Sequence, residues 1–152
     1  GDSLADQILA EGREYTKQLR QLNDAIADAE LSSKISRIEE LSKKILDHIA
    51  QFPKKAPLVR KFLNYYLPSV LKLLRSYDVL DDQEIEGKHI SDTMRRIESA
   101  MDLIIPAFEK QLDALFQDEA LDIMTDISVL EGMLAQEGLG EDAFHMDHSD
   151  PR

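Results

Sequence analysis

The chain has no cysteine and no tryptophan, and only six glycines and five prolines in 152 residues. Without cysteine there is no disulfide scaffold, no thiol nucleophile and no thiolate metal site, and a reducing compartment is the better fit. Sparse glycine and proline leave few of the tight turns that sheets need. A charged fraction of 32% beside 43% apolar residues suits helices around one core. No apolar run approaches the roughly 20 residues that cross a bilayer. Positive charge is scarce as well: a net charge of −12 disfavours nucleic-acid phosphates as a general partner. The first residue is Gly, not Met, from which we expect a piece of a longer chain.

What is present is helical periodicity. Pro57 to Tyr77, PLVRKFLNYYLPSVLKLLRSY, is the densest apolar stretch. At 100° per residue, Lys61, Asn64, Pro68, Lys72 and Arg75 fall within about 60° of one another, and nearly everything else on the wheel is apolar. A central helix wrapped on most sides is expected. Pro68 sits on its water face, where it removes the N–H that would bond the Asn64 carbonyl and bends the helix.

Upstream, residues 4 to 29 place Ile8, Tyr15, Leu22 and Ala29 in heptad-like spacing, interleaved with Leu19 and Ile26, with Ser3 as N-cap. Gly12 costs about 1 kcal/mol inside a helix, so loose first turns are expected. Leu31 to Phe52 repeats the pattern, and Ser32 or Ser33 as a cap makes the two segments a hairpin. Downstream, a helix from Ser91 or Asp92 to Phe116 carries a stripe from Ile90 to Leu115, with Pro106 opposite it. A fifth helix, about Glu119 to Gln136, presents Ile123, Ile127, Leu130 and Leu134. Gly138 and Leu139 supply the left-handed residue and apolar contact of a Schellman ending. The expectation is an all-α bundle of about five helices with a proline-bent central helix. It forms one domain over residues 1–140, and residues 141–152 form a polar tail.

Two segments, KKAPLVRKFLNYYLPSVLKLLRSYDVL and ALDIMTDISVLEGMLAQEGL, resemble the bacterial bromo-chloroindolyl phosphate hydrolysis protein family. The resemblance covers roughly residues 50–140, and FLNYYLP and VLEGMLAQEGL are its most specific parts. It implies hydrophobic membrane segments N-terminal to this region, hence tethering on the cytoplasmic side. It also implies a link to toxic-anion (tellurite) resistance and, by the family name, cleavage of an indolyl phosphate.

The residues themselves offer little catalytic chemistry. No histidine-phosphatase Arg-His pair, Asp-x-Asp or Gly-rich phosphate loop is present, and no motif requires a cofactor. Glu119, Asp122 and Asp126 share one flank of the fifth helix as weak candidates for hard oxygen ligands, although a solvated helix edge accounts for them more simply. His145, Asp147, His148 and Asp150 form a second weak metal candidate in the tail. His48 reads as a helix-boundary histidine, and Tyr65 and Tyr66 as core and rim.

Charge is divided unevenly along the chain. From His48 to Tyr77 there is no acid, while Lys54, Lys55, Arg60, Lys61, Lys72 and Arg75 are all basic. From Gln111 onward Arg152 is the sole base among eleven acids. The strip of Arg60, Lys61, Lys72 and Arg75 has three readings: internal pairing with the acidic helix, recognition of an acidic protein or anionic membrane surface, or a small-anion site. The leading functional expectation is a helical interaction domain of a membrane-associated protein. The alternative is a phosphomonoesterase acting on aryl or indolyl phosphates. A homo-oligomer built through the heptads of the first two helices is a third reading.

Overall fold

A computed structural model describes residues 3–139, which are helical almost throughout and contain no strand. They fall into two compact units, one ending at Leu115 and the other starting at Phe116.

In the first unit, α1 (Ser3–Ala25) and α2 (Ala29–Gln51) form the expected hairpin. The cap differs from expectation. Asp28, not Ser32 or Ser33, caps α2, its Oδ2 accepting from the Leu31 N–H at 2.8 Å. An Asp is the stronger acceptor for that orphan donor. Ser32 instead donates to Asn23 Oδ1 at 2.6 Å, fastening α2 to the end of α1. Arg20 pairs with Glu39 at 3.0 Å and Asn23 donates to Ser36, so the two helices run antiparallel. Gly12 does not loosen α1. It is buried inside the helix, where it admits the Leu46 side chain of α2. The apolar stripes of α1 and α2 that suggested an oligomer are taken up inside the chain's own bundle, with Ile8, Leu19, Leu31, Ile35, Ile38 and Ile45 buried.

The stretch expected as one central helix divides into three parts. Pro53–Val59 is a 3₁₀ segment, Phe62–Tyr66 a π turn, and Leu67–Asp81 the α-helix α3. The physical cause is Pro68. It has no N–H to give the Asn64 carbonyl, and its ring crowds that turn. The chain widens there, and the Leu67 N–H reaches back to the Phe62 carbonyl. One extra residue in the turn swings Phe62 into the core, where its ring meets Phe108 edge-on at 4.9 Å. The outer face is as expected: Lys61, Asn64, Lys72 and Arg75 are exposed, and Pro68 is half-buried at the boundary.

The loop after α3 turns at Glu84, the single non-glycine residue with a positive φ among the described residues. α4 (Lys88–Leu115) starts one turn earlier than expected, because the Gly87 carbonyl already accepts from the Ser91 N–H. Pro106 is exposed, opposite the buried Ile97, Met101, Phe108 and Leu115. Lys34–Asp102 and Arg37–Glu109 ion pairs, at 3.0 and 2.9 Å, show that α2 and α4 run in the same direction. α1 packs on α2 and α3, and α4 packs on the same two helices. α2 and α3 therefore stand at opposite corners of a four-helix bundle. The 3₁₀ segment, which rises faster per residue than an α-helix, bridges that diagonal and touches α1, α2 and α4 on the way.

The second unit contains α5 (Gln117–Gln136), none of whose residues is buried. Its ending matches the expectation. Gly138 has φ 75°, the Leu139 N–H bonds the Leu134 carbonyl at 2.7 Å, and the Gly138 N–H bonds the Ala135 carbonyl. These are the two bonds of a Schellman motif.

Candidate functional site

The π turn sets the surface that the basic strip occupies. It leaves Tyr65 and Tyr66 outside, 65% and 46% exposed, their rings edge to face at 5.5 Å. Their assignment to core and rim fails because a 100° wheel does not describe a π turn. Leu58 is exposed on the adjoining 3₁₀ segment. Around these apolar groups stand Arg60, Lys61 and Lys72, all exposed. None of the three makes a side-chain hydrogen bond or an ion pair among the described residues. Arg75 differs: its guanidinium donates to Gln18 Oε1 and ties α3 to α1. The structure thus splits the four strip residues into three unpaired cations and one positioned by a neighbouring helix.

His48 stands in the last turn of α2, as expected, but it is buried there, 5% exposed. The Lys55 ammonium lies 3.1 Å from its Nε2. A lysine can only donate, so Nε2 accepts and the ring is the neutral Nδ1–H tautomer. The same ammonium donates to the Leu115 carbonyl at 2.6 Å and stands 5.0 Å over the Phe52 ring. A cation at the carbonyl end of α4 complements the helix dipole. This cluster joins the ends of α2 and α4 through the 3₁₀ segment as a structural clamp.

A second cationic feature escaped the sequence reading. Arg13, Thr16, Lys17 and Arg20 of α1 face Glu39 and Lys43 of α2 across a cleft of 240 Å³. Acids interleave with these bases along α1, and that masked the cluster. An i, i+4 pair of like charges, Arg13 and Lys17, was the available signal.

The weak metal candidates do not converge. Asp122 and Asp126 are exposed and Glu119 is half-buried on α5. Among the described residues no three His, Asp or Glu side chains gather as ligands would. His145, Asp147, His148 and Asp150 lie outside the described residues. Among the described residues, no helix is long and apolar enough to cross a membrane.

Several side chains are held away from their ordinary ionisation. Burial, and then the hydrogen bond to Glu98 at 3.1 Å, push the Tyr77 phenol well up. The bond to Asp102 raises the Lys34 ammonium, and Lys44 beside Glu40 holds that carboxyl down. All three belong to interhelical or intrahelical pairs of the bundle.

Residues 2–130 match the model of a family described as 5-bromo-4-chloroindolyl phosphate hydrolysis protein, and the chain belongs to that family. The match takes in α1 and α2 as well as KKAPLVRKFLNYYLPSVLKLLRSYDVL, and it ends inside the second resembling segment, with VLEGMLAQEGL beyond it from Glu131 onward. No curated protein and no solved structure matches the chain.

Proposed function

With membership of this family as premise, we propose that the chain is a helical interaction domain of a membrane-associated bacterial protein. In this reading its tyrosine-bearing basic face meets an anionic membrane surface. One observation carries it: Arg60, Lys61 and Lys72 are exposed, and unpaired among the described residues, beside exposed Tyr65 and Tyr66. Lysines near an anionic leaflet gain about 1 kcal/mol each, and amphipathic tyrosines favour the headgroup level. The family's link to toxic-anion resistance is the wider setting we propose for this role.

The test is sedimentation of the chain with phosphatidylserine-containing vesicles, set against neutral phosphatidylcholine vesicles. Binding should be selective for the anionic vesicles, fall with salt, and disappear in the Arg60→Glu/Lys61→Glu/Lys72→Glu variant while circular dichroism stays helical. A folded variant that still sediments would end this reading.

A second reading, phosphomonoesterase action on aryl or indolyl phosphates, is favoured by the family description. Phosphate-monoester hydrolysis demands a very large barrier reduction through positioned charge and an activated nucleophile. Under the leading reading the purified chain does not turn over p-nitrophenyl phosphate above background, with or without Mg²⁺, Mn²⁺ or Zn²⁺. Asp122→Ala/Asp126→Ala is the control for a site on α5. Turnover that co-purifies with the chain and vanishes in that variant would establish the enzyme.

A further inference from the structure

We propose that the cleft between α1 and α2 binds a phosphate monoester as its dianion, held by Arg13, Lys17 and Lys43. The cleft is lined by Arg13, Thr16, Lys17, Arg20, Glu39 and Lys43, so four cations share it with one carboxylate. That carboxylate is already occupied: Glu39 is paired with Arg20 at 3.0 Å. Arg13, Lys17 and Lys43 are left with no acidic partner among the described residues. The other α2 cations are treated differently, since Lys34, Arg37 and Lys44 each pair with a carboxylate within 3.3 Å.

Three unpaired cations around one cavity repel one another. Arg13 and Lys17 are one helical turn apart, an arrangement that weakens a helix. A doubly charged anion removes that repulsion and accepts charge-assisted hydrogen bonds from all three. The Thr16 hydroxyl donates back to the Arg13 carbonyl at 2.9 Å, which leaves the guanidinium and ammonium groups as the donors facing the cleft. The net charge of −12 does not forbid this. Fields are screened beyond about 8 Å at physiological ionic strength, and ten of the thirty acids lie after Leu115.

The volume suits a phosphoryl group and the first atoms of its ester. An open groove of 350 Å³ along the face of α2 shares Glu39 and Lys43, and it is also lined by Ser36, Glu40, Lys44 and Asp47, with Glu40 paired to Lys44. The organic part of the ester can extend along it. This site is separate from the α3 strip: Gln18, which holds Arg75, lies about 100° around α1 from Lys17. It does not depend on membrane binding by that strip.

The experiment is a titration of the isotopically labelled 152-residue chain with inorganic phosphate and with p-nitrophenyl phosphate, followed by amide NMR. The Arg13, Thr16, Lys17 and Lys43 amides should shift saturably, while those of Lys61 and Lys72 stay in place. Arg13→Gln/Lys17→Gln/Lys43→Gln should weaken binding at least about tenfold, and Lys61→Gln/Lys72→Gln should not. If the triple variant fails to fold, Lys17→Gln alone is titrated in its place. Vesicles containing phosphatidic acid present the same monoester on a lipid. Cleft-dependent sedimentation with them, without shifts from soluble esters, would assign the lipid as its source. No saturable shift at these amides together with no cleft-dependent vesicle binding would overturn the proposal. So would shifts that persist unchanged in a folded cleft variant.

Discussion

Gly12 of α1 lies so close to Leu46 of α2 that a Cβ added to the glycine would stand 2.5 Å from Leu46 Cδ2. The same Cβ would meet Cδ1 at 2.9 Å and Cγ at 3.2 Å, so the whole end of the leucine is engaged, not one methyl. Leu46 is itself buried. This close approach brings α1 against α2 just beside Arg13 and Lys43, on the two walls of the basic cleft.

Gly12→Ala should therefore destabilise the chain despite alanine's advantage in a helix. The gain in propensity is about 1 kcal/mol, and overpacking costs about 1–3 kcal/mol. A net loss near 1 kcal/mol is expected from urea midpoints. Gly132→Ala is the contrast, since nothing lies within 4 Å of the added methyl. That change should stabilise α5, read as greater helicity at raised temperature. A stabilising Gly12→Ala would mean the hairpin is looser than this contact requires.

At the π turn the expectation is asymmetric. Pro68→Ala restores a donor for the Asn64 carbonyl, but tightening the turn to an α-helix would pull Phe62 off Phe108. The two effects oppose, and the change should stay within about 1 kcal/mol. Leu67→Ala and Leu74→Ala, both fully buried, should each cost about 2–5 kcal/mol. Denaturant midpoints in the reverse order would show that packing at Phe62 does not hold the π turn.

Most of the helical framework was legible because periodicity reports burial directly. Ile35, Ile38, Ile45 and Ile49 repeat at the helical period and all are buried. The Schellman ending was legible because Gly138 and Leu139 act locally. The π turn was not, since the absence of the Pro68 N–H permits either a bend or a wider turn, and Phe108, over forty residues away in the chain, selects the wider one. Asp28 was passed over as a cap because two serines offered the same chemistry a few residues later. His48 lay at the edge of the wheel, and only Lys55 and the end of α4 decide that it is enclosed. The basic strip on α3 could be read because no acid interrupts it. The basic cleft could not, because its imbalance arises only when Arg20 claims Glu39 across the hairpin.

The clamp at Lys55 gives a third expectation. Lys55→Met keeps much of the aliphatic stem but removes the donor to His48 and to the Leu115 carbonyl. Loss of a hydrogen bond from a charged donor, with its buried acceptor left behind, costs about 1.5–3 kcal/mol. The loss should appear as a lower denaturant midpoint and as faster amide exchange at the end of α4. Exchange unchanged near Leu115 would show that the clamp contributes nothing to that helix end.

Tyr77 gives the pH dependence. Its hydroxyl donates to Glu98 and its ring is 5% exposed, and burial first, then that bond, raise the phenol above its ordinary value of 10.0. In the unfolded chain the phenol ionises once pH passes about 10, while in the folded chain it stays protonated. The stabilisation is therefore complete below that pH and declines above it, by about 1.4 kcal/mol per pH unit once the unfolded phenol is ionised. Tyr77→Phe lacks the hydroxyl and is exempt. At pH 8 the variant should be less stable by about 0.5–1.5 kcal/mol, the worth of one hydrogen bond. Above pH 10 the gap should close and then change sign, because only the wild type carries an ionising group at this position. Urea unfolding of both proteins at pH 8, 10 and 11 measures the crossing. The remaining tyrosines and lysines cancel in the comparison, since both chains carry them. A gap that is constant with pH would mean that water reaches the Tyr77 hydroxyl and that α3 and α4 are not closed over it.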